Sequence, residues 1–79
     1  MVRIVANPAI LGGKPIVEGT RLSVEHILGL LSSGMSNQEI IADYPELSEE
    51  SIRAVLAYTA RALQNNIIIE VVSSRDGAP

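Results

Sequence analysis

The chain has 79 residues, of which 47% are hydrophobic, a net charge of −3 and no cysteine. That length supports one core and excludes a second, because each half would fall below the size at which a chain buries enough apolar surface to fold. Disulfides and thiolate metal sites are excluded, a lone His26 cannot build a zinc site, and the acidic balance opposes a general attraction to nucleic acid or an anionic membrane.

Residues 3–17 carry two apolar pairs, Ile4-Val5 and Ile16-Val17, separated by Pro8, Gly12-Gly13 and Pro15, which punctuate the chain. They predict a loop-rich arm over about residues 1–22 with one weak hairpin. Gly12 and Gly13 can take positive φ, and Pro15 drives Lys14 into extended backbone, so Ile16 and Val17 leave the turn as strand. A second turn falls at Glu18-Gly19-Thr20. From Ser23 the period changes: Val24, Ile27, Leu28 and Leu31 share one helical face, with Ser23 as N-cap and Gly34 as the stop. Ser36-Asn37-Gln38-Glu39 is a capping box, Met35 can staple onto Ile40, and the helix they open, about 37–43, ends before Pro45. Ser48 caps a third helix, whose first turn holds Glu49 and Glu50 where the macrodipole favours negative charge. Leu47 is placed to staple onto Ile52. Its expected apolar face is Ile52, Val55, Leu56, Thr59, Ala60 and Leu63, and Asn65-Asn66 supplies its end. The β-branched run Ile67-Ile68-Ile69-Glu70-Val71-Val72 predicts a strand, and residues 73–79 a polar tail.

A short second helix joined to a longer third by Tyr44-Pro45-Glu46-Leu47-Ser48 has helix-turn-helix spacing, which helical bundles without nucleic-acid function share. The expected fold is therefore mainly α: three helices, a short N-terminal β-arm and a C-terminal β-strand in one domain over residues 1–72. Glu49, Glu50, Arg53, Ala57, Arg61 and Gln64 face outward on the third helix. Arg53 and Arg61 are candidate DNA contacts, and equally candidate solvated partners of neighbouring carboxylates at about 0.3–0.5 kcal/mol each. Two carboxylates in the first turn work against base contact there. Lys14 and Arg21 are further candidate DNA contacts on the arm, but the GxxxxGK(S/T) string of a phosphate-cradling loop is missing. No nucleophile and base pair, paired carboxylates or metal-binding string occurs, so no enzyme, cofactor, metal or small-molecule substrate is expected. Ile67, Ile68, Ile69, Val71 and Val72 form an aliphatic template for pairing, with this chain's own Ile4-Val5 or Ile16-Val17 or with another chain. No apolar run is long enough for a membrane span or a secretory signal, so the expected location is cytoplasmic.

Asn7-Pro8, Gly12-Gly13-Lys14-Pro15-Ile16-Val17, Gly19-Thr20-Arg21, Val24, Gly34, Ser36, Glu39-Ile40-Ile41, Tyr44-Pro45 and Leu47-Ser48 together resemble the domain-of-unknown-function 433 family, over about residues 4–63. The resemblance implies a homeodomain-like, winged-helix-like helix-turn-helix behind a β-arm. It also implies a partner, since members are often encoded beside a PIN-like nuclease. That pairing points to the antitoxin of a type II toxin–antitoxin module, which silences the nuclease and represses its own operon. The family commonly carries a basic residue before Gly19-Thr20-Arg21; Glu18 stands there here, leaving Lys14 and Arg21 as the arm's cations.

The expected function is thus an antitoxin-like, homo-oligomeric regulator that binds a PIN-like nuclease and operator DNA. An acidic chain suits the covering of a basic RNA-binding surface, with Glu46, Glu49, Glu50, Glu70 and Asp76 as candidate contacts and the arm or residues 67–72 as a second contact element. The alternative is a homo-oligomeric protein-interaction module with no nucleic-acid role, assembled through residues 67–72.

Overall fold

Among the described residues each of the three α-helices is preceded by a serine. The computed structural model describes residues 1–66 and runs β1 (Ile4–Ala6), a 3-10 turn (Leu11–Gly13), β2 (Pro15–Val17), α1 (Val24–Ser32), α2 (Asn37–Asp43) and α3 (Glu49–Asn66). The architecture is mainly helical, with three helices and a small two-stranded antiparallel sheet. The expected strand 67–72 and tail 73–79, with Ile67, Ile68, Ile69, Glu70, Val71, Val72 and Asp76, lie outside the described residues. Among the described residues no helix is long and apolar enough to cross a membrane.

The caps set the helix boundaries by local chemistry. Ser23 Oγ accepts the His26 amide at 2.9 Å, and Gly34 takes φ 102° after α1, a backbone that only glycine adopts readily. At α2 the cap is reciprocal: the Glu39 amide donates to Ser36 Oγ at 3.1 Å and the Ser36 amide donates to Glu39 Oε1 at 2.8 Å. Ser36→Ala removes one of these bonds and is expected to cost about 1 kcal/mol, read as a fall in Tm of roughly 4–8 °C by circular dichroism. An unchanged Tm would mean that the cap contributes nothing. Ahead of α3, Ser48 and Ser51 repeat the reciprocal pattern, the Ser51 amide donating to Ser48 Oγ at 3.2 Å and the Ser48 amide to Ser51 Oγ at 3.0 Å. Ser51 is almost wholly buried, and this exchange satisfies it.

Ile27 of α1, Ile40 of α2 and Ile52 and Val55 of α3 meet with no exposed surface, joined by Val17, Val24 and Leu47. Met35 packs against this cluster, and Leu47, Ile40 and Ile52 all belong to it, as residues placed for the two staples should. The sheet sets Val5 opposite Ile16 and Ile4 opposite Val17. Two strands alone are marginal in water. Burial of Ile16 and Val17, each 2% exposed, fastens the pair to the helices.

One expectation is overturned on α3. Leu56, Ala60 and Leu63 lie outside, with Leu56 47% and Leu63 42% exposed. The inner line is Ile52, Val55, Thr59 and Ala62, flanked by Tyr58. Helix α3 has 18 residues and α1 only 9, so a rod about 27 Å long meets too little neighbouring helix to bury both of its apolar flanks.

Candidate functional site

The two glycine-bearing segments of the arm fold into turns that deliver Lys14 and Arg21 to one place. In the first, the Ile10 amide donates to the Asn7 carbonyl at 2.8 Å and the Ala9 amide to Asn7 Oδ1 at 2.9 Å, so the asparagine side chain closes the turn before Leu11. Gly12 and Gly13 follow at φ 67° and 89°, and Lys14 leaves in extended backbone at φ −65°, ψ 148°. In the second, the Thr20 amide donates to the Val17 carbonyl at 3.0 Å across Gly19 at φ 87°. Thr20 Oγ1 donates to that same carbonyl at 2.9 Å and accepts the Leu22 amide at 3.0 Å. The threonine thereby clasps the chain on both sides of Arg21, directly ahead of the α1 cap.

The result is an open cleft of about 420 Å³ lined by Leu11, Lys14, Arg21, Leu22, Ser23 and His26. Among the described residues no carboxylate lines it. Lys14 Nζ lies 3.0 Å from Glu25 Oε1, with both side chains mostly in water, so the pair contributes at most about 1 kcal/mol and leaves the lysine able to exchange partners. Arg21 also borders a second cleft of about 520 Å³ on the hairpin, lined in part by Asn7, Pro8, Ile10 and Glu18. Glu18 lies 3.7 Å from Arg3 and lines that second cleft rather than the first.

Two residues of the first cleft, His26 and Leu11, are not among the candidates that the sequence singles out. His26 Nε2 shares a hydrogen bond of 3.1 Å with the Tyr44 hydroxyl, and the rings meet edge to face at 5.6 Å, so the cleft wall is tied to the turn between α2 and α3. The cue available was its place one turn into α1, three residues after the cap. Leu11 stands at φ 52°, a left-handed backbone that costs a side-chain-bearing residue about 1–2 kcal/mol, with its side chain 48% exposed. Its neighbours Gly12 and Gly13 were the visible half of that turn.

Arg53 and Arg61 do not join Lys14 and Arg21. They are exposed on α3 with Ala57 between them, about 12 Å apart along the axis, and no ion pair among the described residues includes either. Glu46, Glu49 and Glu50 are exposed where α3 begins, and Glu49 Oε1 accepts Asn37 Nδ2 at 3.1 Å. The described surface thus presents cations at the arm and along the outer face of α3, and carboxylates at the start of α3.

A protein of Sinorhizobium fredii, the uncharacterized protein y4eO, is 34% identical over 55 residues, which make up 70% of this chain but 25% of that protein. The chain thus spans about a quarter of the length of the curated relative that it matches. No solved structure matches. The model of the family described as protein of unknown function, DUF433, matches residues 4–59, which include both arm turns, α1, α2 and the first half of α3, and the chain belongs to that family.

Proposed function

We propose that this chain is an antitoxin-like regulator, a helix-turn-helix body of the homeodomain-like, winged-helix-like kind that covers a PIN-like nuclease and contacts operator DNA. The observation that carries this reading is the convergence of Lys14 and Arg21, from two separate turns, on one exposed cleft beside the α1 cap. Rigid turns hold both cations at low entropic cost, which suits contact with a phosphate backbone. Glu46, Glu49 and Glu50 supply the complementary element, a carboxylate patch for a basic RNA-binding surface. Two surfaces of opposite sign fit two partners of opposite charge. The exposed apolar residues Leu56, Ala60 and Leu63 on α3 favour a second reading, self-association through that helix.

The test has two parts. A tagged chain drawn from its host at moderate salt is expected to retain a PIN-like nuclease near one-to-one; recovery of the chain alone would sink the partner reading. Affinity for operator DNA is expected to fall steeply with salt, and Lys14→Ala, Arg21→Ala, Arg53→Ala and Arg61→Ala each to reduce the slope by about one. Slopes unchanged in the first two would remove the arm cleft from the DNA interface, and in the last two the third helix.

A further inference from the structure

Four large apolar side chains are exposed among the described residues: Met1, Leu11, Leu56 and Leu63. Leu56 and Leu63 share the outer flank of α3, and Leu63 also lines an open apolar groove of about 380 Å³ between α1 and α3, with Val24, Leu28 and Tyr58. Leu11 keeps different company. It lines the cleft of Lys14 and Arg21, and it is absent from the hydrophobic side chains that pack against the core.

Its backbone is as unusual as its exposure. The Gly13 amide donates to the Ile10 carbonyl at 3.0 Å, and the two residues between them, Leu11 and Gly12, stand at φ 52° and 67°. That is the pattern of a type I′ turn, whose central positions suit glycine, asparagine and aspartate. Among the described residues Leu11 is the one non-glycine at positive φ. The Ile10 amide donates to the Asn7 carbonyl at 2.8 Å and the Lys14 amide to the Leu11 carbonyl at 3.3 Å, so hydrogen bonds on both sides hold the turn in place. Leucine here strains the backbone, leaves half its side chain in water and does not join the core. Neither packing nor turn chemistry accounts for it. A strained residue held by its surroundings at the wall of a cleft is accounted for by what it touches when the cleft is filled.

We propose that Leu11 is a binding residue of this cleft, packing on the sugar of a nucleotide whose phosphate Lys14 and Arg21 hold. The inference rests on the reading of the cleft as a contact for operator DNA and adds an apolar contact to it. The chemistry of the lining selects the ligand class. A bare phosphate would use the two cations and leave Leu11 in water. A sugar–phosphate strand carries each anion directly beside deoxyribose carbons, which suits two cations and an aliphatic side chain in one cleft of about 420 Å³. A phospholipid headgroup also carries phosphate, but a membrane contact needs far more buried apolar surface than one leucine supplies. The strain has a use in this arrangement: the left-handed turn sets the side chain before the ligand arrives, so little freedom is lost on binding.

Leu11→Asn tests the inference, because asparagine suits the turn and cannot make the apolar contact. Binding to duplex DNA from immediately upstream of the chain's own coding sequence is measured over a salt series for the parent, Leu11→Asn and Lys14→Ala. Leu11→Asn is expected to bind about fivefold more weakly at every salt concentration with the parent's slope, since an uncharged side chain displaces no counterion. Lys14→Ala is expected to lower the slope itself by about one. The Tm of Leu11→Asn is expected to equal or exceed the parent's as the strain is relieved. Equal affinity in Leu11→Asn, or a slope that also falls there, would overturn the inference, while a lowered slope in Lys14→Ala keeps the DNA reading of the cleft. A parent that binds no duplex, or a Lys14→Ala slope equal to the parent's, would remove both. A Tm below the parent's would assign Leu11 to the fold instead. Binding to phosphatidylglycerol vesicles that Leu11→Asn abolishes would put a membrane in place of the nucleic acid.

Discussion

Replacing Ile52 by alanine is expected to remove about 2–5 kcal/mol of stability, enough to unfold a large fraction of a chain this small at 37 °C. Ile52 has no exposed surface and stands where α3 meets Ile27 of α1 and Ile40 of α2, each equally buried. Its truncation leaves a void bounded by rigid β-branched neighbours, which collapse poorly onto it. Among the described residues the core cluster holds seven buried side chains, Val17, Val24, Ile27, Ile40, Leu47, Ile52 and Val55, so one of them carries a large share of the burial there. Urea titration followed by circular dichroism reads the loss as a lower midpoint with little change in slope. A loss below 1 kcal/mol would mean that the three helices do not share one core. By contrast, Leu56→Ala on the outer face of α3 removes a side chain that already sees water, and its cost stays well below that of Ile52→Ala.

Neutralising the carboxylates at the start of α3, as Glu46→Gln/Glu49→Gln/Glu50→Gln, is expected to slow association with the proposed nuclease partner about tenfold or more at low salt, with the effect shrinking as salt rises. Glutamine keeps the acceptor that Asn37 uses at position 49, so the tie between the starts of α2 and α3 survives. The first turn loses its favourable interaction with the helix dipole at a cost of about 0.3–1 kcal/mol per residue, small enough for the fold to persist. Stopped-flow association rates over a salt series check this directly. A rate that stays constant across the series in both proteins would take these three carboxylates out of the interface.

The helices were readable in the sequence because their ends are set by chemistry within four residues. Ser23, the Ser36 and Glu39 pair, Pro45 and Ser48 each act on the backbone beside them, and the structure places each boundary there. The arm's two apolar pairs also met as strands, since Gly12 and Gly13 could supply the positive φ that the turn demands. The inner face of α3 was not readable. Both Leu56-Ala60-Leu63 and Val55-Thr59-Ala62 are apolar lines with helical spacing, and only the placement of the shorter α1 selects between them. The cleft was half legible for a related reason. Lys14 and Arg21 stand out as cations on a mobile-looking arm, but their meeting depends on the Thr20 clasp and on Gly19, which fix direction across a loop rather than along a helix. Periodicity carries no such information. His26 and Leu11 entered the site by the same route.

The chain contains no tryptophan, and its only aromatic side chains are Tyr44 and Tyr58. Each sits at a different surface: Tyr44 shares its hydroxyl with His26 on the wall of the cationic cleft, and Tyr58 lines the apolar groove. The molecule therefore carries two intrinsic fluorophores, with no indole to drain their excitation. A Tyr44→Phe chain emits from the groove alone, and a Tyr58→Phe chain from the cleft side alone, where the neighbouring imidazole can quench it. Events at the two surfaces become separable by light, without attaching a dye to either.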